Sequence, residues 1–202
     1  QHLVWMNFYS KSLSNACLFD GPADVVSPHK SQPNFREPPP AKGDKIVVLD
    51  TDHLWGVGGS PAWVWKAFAR GYHPIFMDPL HNLEWYRRKW NVKDPRWVAM
   101  RAAMGNTRRY ERRMDLSAAK PMHALSSKRY CIANPGNEYL VFQPKPAPLT
   151  VRLEAGSYSR EWFNPNTQAV TEAGIQSARE GDETMTPPFA GPAILYLKRA
   201  DN

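Results

Sequence analysis

The stretch KIVVLDTDHLWGVGGSPAWVWKAFARGYHPIFMDP, residues 45–79, contains two short apolar runs with a helix-like segment between them. The first run, Lys45 to Leu49, is continuous and rich in β-branched residues, which is typical of a strand covered on both faces in a parallel sheet. Ser60 is a favourable helix N-cap, and Gly71 predicts the left-handed residue that ends the helix. The second run, His73 to Met77, predicts another strand. The stretch is therefore a strand, helix, strand unit of an α/β fold.

Polar side chains follow both predicted strands. Asp50, Asp52 and His53 come at the end of the first strand, with Trp55 two residues further on, and Asp78 ends the second strand. A right-handed crossover brings the carboxyl ends of two parallel strands to one edge of the sheet, and α/β folds bind ligands at that edge. The sequence leaves an alternative open, in which these acids only cap the turns and helices that follow them.

The amino-terminal segment adds two candidate ligand contacts. HLVWMNFYS predicts another buried strand that ends in polar groups, among them Asn7. The following residues are rich in Pro, Ser and Asp, and they predict a long loop with a short helix near Asp24. A long loop after the carboxyl end of a strand is a usual place for binding residues, so we include Asn7 and Asp24 among the candidates.

Composition excludes several classes of protein. At 202 residues and 42% hydrophobic, the chain can fill one ordinary core or two small ones. No run approaches the roughly 20 apolar residues of a membrane-spanning helix, so we expect no membrane partner. Cys17 and Cys131 lie far apart and have no short metal or redox spacing, which predicts two free thiols and no cofactor.

The net charge of +7 comes from one region. Residues 81–120 hold 11 basic and 4 acidic residues, while bases and acids balance in the rest of the chain. The same region predicts an amphipathic helix that begins after Asp94, with an apolar stripe on one face and arginines on the other. A solvated basic helix face explains the charge, and no nucleic-acid-binding motif accompanies it, so we expect no nucleic-acid partner.

After Pro121 the sequence consists of short strand-like segments separated by turns. KRYCIAN, EYLVFQP, LTVRLE, SREWFNP and AILYLKR are strand-like and are separated by turn residues, which predicts a small antiparallel β-sandwich. The domain boundary is expected near residues 117–123. Trp162 and Phe163 are adjacent, so one of them should face away from the core in a regular strand, and Trp162 is a candidate binding residue. Core packing is the alternative for these aromatic rings and for Tyr139, Tyr158 and Tyr196.

Five segments together resemble a known family: VVLDTDHLWGVGG, WVWKAFARGYHPIFMDP, YCIANPGNEYLVFQP, EWFNPNTQ and PPFAGPAILYLK. They resemble the carboxyl-terminal part of bacterial glycoside-hydrolase-like proteins, which join an apiosidase-like (β/α)₈ barrel to a β-sandwich named for collagen binding. The resemblance implies that residues 1–120 are the last strands and helices of a barrel and that residues 121–202 are the sandwich. It also implies secretion or a periplasmic location. Because a barrel needs roughly 250 residues, we expect the first half of the barrel to lie upstream.

The chemistry implied by the resemblance is glycosidic bond hydrolysis in a polysaccharide or oligosaccharide, which usually needs two carboxyl groups. By the resemblance, the nucleophile stands at the end of strand seven, where this sequence has Asp50 and Asp52, and the acid stands at the end of strand four, upstream of Gln1. Asp52 is then the nucleophile or base, His53 holds or protonates a carboxylate, and Trp55 stacks on a sugar. Glu84 is a second candidate carboxylate, with a solvated loop residue as the alternative.

Two further hypotheses stay open for the carboxyl-terminal domain. Its aromatic side chains would suit a module that binds carbohydrate or a collagen-like extracellular polymer through flat apolar contacts. A purely structural domain that carries no ligand is the other alternative.

Overall fold

A computed structural model of the chain describes residues 2–7, 14–30, 34–78 and 93–200. The chain divides into two compact units, Gln1–Phe68 with Tyr72–Arg108, and Ala69–Gly71 with Arg109–Asn202. The helices are α1 (Ala16–Asp20), α2 (Thr51–Trp55), α3 (Pro61–Ala69) and α4 (Pro95–Glu111). The strands are β1 (Trp5–Asn7), β2 (Val25–Ser27), β3 (Ile46–Asp50), β4 (His73–Ile75), β5 (Lys120–Pro121), β6 (Cys131–Asn134), β7 (Glu138–Gln143), β8 (Leu149–Leu153), β9 (Gly156–Phe163), β10 (Val170–Ala178), β11 (Gly181–Met185) and β12 (Ala193–Arg199).

The first unit contains a parallel sheet of four strands in the order β1-β2-β3-β4. The strand, helix, strand prediction is confirmed by β3, α3 and β4. Ser60 Oγ accepts the Trp63 backbone N–H at 3.2 Å as the N-cap of α3, and Gly71 has a φ of +83°, the left-handed conformation expected after the helix. The sheet and its helices give a mixed α/β unit.

The prediction of a long loop with a short helix near Asp24 is wrong in its detail. The helix α1 lies earlier, at Ala16–Asp20, and Asp24 directly precedes the strand β2. Only three residues form β2, and Gly21 with Pro22 before it and Pro28 after it are strong turn signals. A strand this short offers too few residues for a periodic pattern, and the surrounding turn residues hide it.

One face of the parallel sheet forms the core of the first unit. Val26, Val47 and Leu49 belong to a buried apolar cluster that includes Val64 and Ala67 of α3 and Met100 of α4. Residues on the opposite face are more open, since Trp5 is 58% exposed and Ile75 is 40% exposed. The predicted burial of the first strand is wrong, because β1 is an edge strand that pairs only with β2 among the described strands.

The second unit is built from antiparallel strands. One sheet has six strands in the order β10-β9-β12-β7-β6-β5, and β8 pairs with β11 in a sheet of two. Side chains of both sheets share one core, to which β8 contributes Leu149, Val151 and Leu153. The five predicted strand segments are confirmed as β6, β7, β8, β9 and β12. The strands β10 and β11 were not predicted: β10 is mostly exposed, and β11 is polar apart from Gly181 and the buried Met185.

A half-buried ion pair lies against the other face of the six-stranded sheet. Both terminal nitrogens of Arg113 donate to the carboxylate of Glu161 at 2.9 Å, and the Tyr110 hydroxyl donates to the same carboxylate at 2.5 Å. Burial by itself would raise the pKa of Glu161, but the hydrogen bonds from Arg113 and Tyr110 outweigh it and lower this pKa below the ordinary value of 4.5. The ionised carboxylate therefore stabilises the folded unit.

We expect acid to remove this stabilisation. Because the pKa of Glu161 is lower in the folded state, its contribution is present above the unfolded pKa and is lost as pH falls through the folded pKa. Replacing Glu161 by glutamine should lower the free energy of unfolding at neutral pH by about 1–3 kcal/mol, and the difference from wild type should shrink in acid. Urea unfolding from pH 7 to pH 3 measures this, with Glu180→Gln, at an exposed position just before β11, as control. A difference independent of pH would contradict the prediction.

The described residues contain no helix that is both long enough and apolar enough to cross a membrane. Both cysteines are free, with Cys17 exposed and Cys131 buried. Burial raises the pKa of the Cys131 thiol to about 12.

Candidate functional site

Polar residues end three neighbouring strands at the carboxyl edge of the parallel sheet. Asn7 ends β1 and pairs in register with Ser27, which ends β2. Asp50 ends β3 and pairs with Ile75 of β4. Val25 is in register with Ile46, so the alternation of side chains along each strand places Asn7, Ser27 and Asp50 on the same face of the sheet. This face is opposite to the one that packs on the helices.

Asp50 performs the local role that the sequence left open as an alternative. Its Oδ1 accepts the backbone N–H of Asp52 at 2.9 Å, which makes it the N-cap of α2. Asp52 lies in the first turn of α2 and is exposed, and its carboxylate forms no hydrogen bond or ion pair with the part of the chain that the structure describes. The two acids therefore differ in role: Asp50 fixes the helix, and Asp52 offers an available carboxylate.

His53 is held against the strand beside it. Its Nδ1 lies 2.9 Å from the hydroxyl of Ser27, which is 2% exposed. The hydroxyl of Thr51, the residue that begins α2, accepts the backbone N–H of Met77 beyond β4 at 2.9 Å. Short polar contacts to β2 and to the end of β4 thus fix the orientation of α2 at the edge of the sheet.

Trp55 is half-buried and packs at the end of α2. Trp63 meets its ring edge-on, with the ring centroids 5.0 Å apart, and the guanidinium carbon of Arg36 lies 5.9 Å from the ring centroid. Arg36 also donates two hydrogen bonds to the carbonyl oxygen of Leu54, from Nε at 3.1 Å and from Nη2 at 2.9 Å. Arg36 caps the carboxyl end of this short helix and supports Trp55, and no local sequence pattern identifies it.

Asp78 is engaged by a helix rather than left open at the edge. Nε and Nη2 of Arg101, on α4, each donate to one of its carboxylate oxygens at 2.6 Å. The side chain of Asp78 is 18% exposed, and this hydrogen bonding raises the pKa of Arg101. This bidentate pair joins α4 to the end of β4, so Asp78 is a structural residue here, and its role as a ligand contact remains a prediction without support from the geometry.

Two other candidates lie away from the carboxyl edge. Asp24 precedes β2 and is therefore at the amino edge of the sheet, where its Oδ2 accepts the backbone N–H of Val4 at 2.9 Å. Its role as a ligand contact remains a prediction that this position does not support. Glu84 lies outside the described residues.

The expected exposure of either Trp162 or Phe163 is also wrong. Trp162 is 1% exposed and Phe163 is 0% exposed. Trp162 points into the core shared by the two antiparallel sheets, while the ring of Phe163 contacts Tyr110 on the opposite face at 5.9 Å between centroids. Both faces of β9 are covered, so the alternation of side chains along the strand exposes neither ring. Core packing is also the outcome for Tyr139, Tyr158 and Tyr196.

No metal centre is evident among these residues. The described ranges, 2–7, 14–30, 34–78 and 93–200, contain no group of three or more His, Cys, Asp or Glu side chains that could hold a metal ion.

Comparison with known proteins identifies the fold. No protein-family model matches the chain, and no curated protein matches it. Among solved structures, the chain is similar to a glycoside hydrolase with a TM-score of 0.55 and 12% identity, over 80% of this chain and 44% of that one. It is also similar to a family 5 glycoside hydrolase from Bacteroides vulgatus, with a TM-score of 0.54 and 11% identity, over 79% of this chain and 42% of that one. The chain therefore has a glycoside-hydrolase-like fold and spans less than half the length of these structures.

Proposed function

We propose that this chain is the carboxyl-terminal part of a glycoside hydrolase that cleaves glycosidic bonds in a polysaccharide or oligosaccharide. The observation that carries the proposal is the exposed carboxylate of Asp52, which has no partner in the described part of the chain and stands at the carboxyl edge of a parallel sheet. Enzymes with α/β barrels place their catalytic groups at this edge. The glycoside-hydrolase-like fold supports the same reaction class by analogy.

Each residue at the edge then has a role in the reaction. Asp52 acts as the nucleophile, or as the base that activates water. Asp50 holds the amino end of α2 and so fixes the backbone of Asp52. His53 holds a carboxylate or a sugar oxygen by a hydrogen bond, and the exposed part of Trp55 contacts the apolar face of a sugar ring. The second carboxyl group, which protonates the leaving oxygen, belongs to a strand upstream of Gln1.

The finer architecture is part of the proposal. The four parallel strands would be the last four of a (β/α)₈ barrel, one more than the sequence indicated, and residues 1–120 would form the barrel portion. Trp5, which is 58% exposed, belongs to the edge strand β1, whose outer side pairs with no described strand and is where an additional strand would pair. Residues 121–202 would be an accessory β-sandwich, as in the apiosidase-like proteins that the sequence resembles, and the whole protein would be secreted or periplasmic.

The test is an assay of the whole reading frame that contains this chain. The purified product is incubated with a panel of plant and bacterial polysaccharides and aryl glycosides, and released reducing sugar is measured. We expect hydrolysis of at least one glycoside by the whole product and none by the 202-residue chain, which lacks the acid. A well-folded whole product that hydrolyses no member of the panel, or a 202-residue chain that is fully active, would contradict the proposal.

The alternative, a module that binds carbohydrate or a collagen-like extracellular polymer, loses its main support. It depended on exposed aromatic rings in the antiparallel unit, and Tyr139, Tyr158 and Trp162 are each at most 1% exposed. Buried rings cannot offer a flat surface to a polymer.

A further inference from the structure

The contact between Ser27 and His53 has an unusual setting. Ser27 ends β2, and His53 lies in α2, which follows β3, so the contact joins residues that are 26 positions apart in the chain. Ser27 is 2% exposed and His53 is half-buried. A hydroxyl so deeply buried has little access to water and must find its hydrogen-bond partners within the protein.

The direction of the hydrogen bond between Ser27 and His53 decides which nitrogen of the neutral imidazole carries the proton. The Ser27 side chain forms no other hydrogen bond with the described residues, so Nδ1 of His53 is the acceptor available to its O–H. If Nδ1 carried the proton and donated to Ser27, the serine hydrogen would be buried without an acceptor, which is unfavourable. The favourable arrangement has Ser27 donating to Nδ1, and a neutral imidazole then carries its proton on Nε2.

We propose that Ser27 is a positioning residue that holds His53 as a hydrogen-bond donor through Nε2. Nδ1 contacts the buried serine, so Nε2 is the ring nitrogen that is left to bond to a group outside this pair. In this state His53 donates to a carboxylate or to a substrate oxygen and does not act as a base at Nε2. The identity of that acceptor rests on the proposed function, whereas the state of the ring does not.

The test of the ring state uses the 202-residue chain and needs no activity. Two-bond proton–nitrogen correlation spectra near pH 8 report which imidazole nitrogen carries the proton, and a His53→Gln variant assigns the signals. We expect wild type to have the proton on Nε2 and an Nδ1 signal typical of a hydrogen-bonded acceptor. In Ser27→Ala the Nδ1 signal should move to the position of an unbonded nitrogen, and the Nδ1–H form should become detectable.

Ser27→Thr is the matched control, because it keeps a hydroxyl at the same position and should keep the wild-type signals. A purely structural role for Ser27 would leave the nitrogen signals of Ser27→Ala unchanged, and that result would overturn the proposal. A proton on Nδ1 in wild type would also overturn it. Circular dichroism and thermal melting of each variant establish that its spectrum comes from a folded chain.

The kinetic consequence is measured in the whole reading-frame product. Loss of one orienting hydrogen bond should lower kcat by about tenfold in Ser27→Ala, with KM little changed, and Ser27→Thr should restore it. If the whole product hydrolyses nothing, the proposed function fails while the nitrogen spectra still decide the role of Ser27. If it is active and Ser27→Ala keeps full kcat, the positioning role is wrong.

Discussion

Replacing Asp52 by asparagine is expected to lower kcat of the whole hydrolase by about 10³-fold or more. The substitution keeps the size of the side chain and removes the negative charge that a nucleophile or base requires. Asp52 is exposed in the first turn of α2, and its carboxylate bonds to none of the described residues, so the loss cannot come from a broken structural contact among them. KM should change little, because the charge acts mainly in the transition state.

Asp50→Asn is the matched control for this experiment. Asparagine caps a helix about as well as aspartate does, so the hydrogen bond from the Asp52 backbone to the side chain at position 50 should persist. We expect this variant to keep kcat within about tenfold of wild type, as suits a side chain that acts through another residue. If Asp50→Asn loses activity and Asp52→Asn keeps it, then Asp50 and not Asp52 is the nucleophile or base. Full activity in both variants would remove this strand end from the mechanism.

Local signals were sufficient to predict the helix α3 and the strand β3 of the first unit. The helix α3 follows from Ser60 and Gly71, whose capping and left-handed roles are properties of single residues. The strand β3 follows from a continuous β-branched run. By contrast, β2 has three residues between turn signals, and only its pairing with β1 and β3 makes it a strand. Tertiary pairing of this kind leaves no local pattern.

In the candidate site too, residues next to a predicted strand could be identified from the sequence, whereas residues that reach the site from distant positions could not. Asp50 and His53 were recognisable because they directly follow a predicted strand. The residues that bond to this edge from elsewhere in the chain were not recognisable: Ser27 is 26 residues from His53, Arg36 is 18 residues from Leu54, and Arg101 is 23 residues from Asp78. A single sequence carries no spacing rule that links such residues, so the helix α4 could be predicted while its bond to Asp78 could not.

The exposure of side chains was the least predictable property, because it depends on whether one face or both faces of a sheet are covered. The prediction for Trp162 and Phe163 assumed a strand in a sheet with one solvent-exposed face. The strand β9 instead lies in a sheet that is covered on both sides, by the core shared with β8 and β11 and by Tyr110. Conversely, Trp5 was predicted buried and is 58% exposed, because its strand lies at an open edge.

Replacing Trp162 by alanine is expected to destabilise the antiparallel unit by about 3–5 kcal/mol. The side chain is 1% exposed in the core that both antiparallel sheets share, so its removal leaves a large cavity between them. Ile175→Ala is the control within the same unit, since Ile175 is 61% exposed and its loss should change stability by at most about 0.5 kcal/mol. Denaturant unfolding, followed by amide signals of residues in β7 and β12, measures both variants without assuming that the whole chain unfolds in one step. A Trp162→Ala variant as stable as Ile175→Ala would show that the ring is not packed between the sheets, and Trp162 would return as a candidate surface for sugar binding.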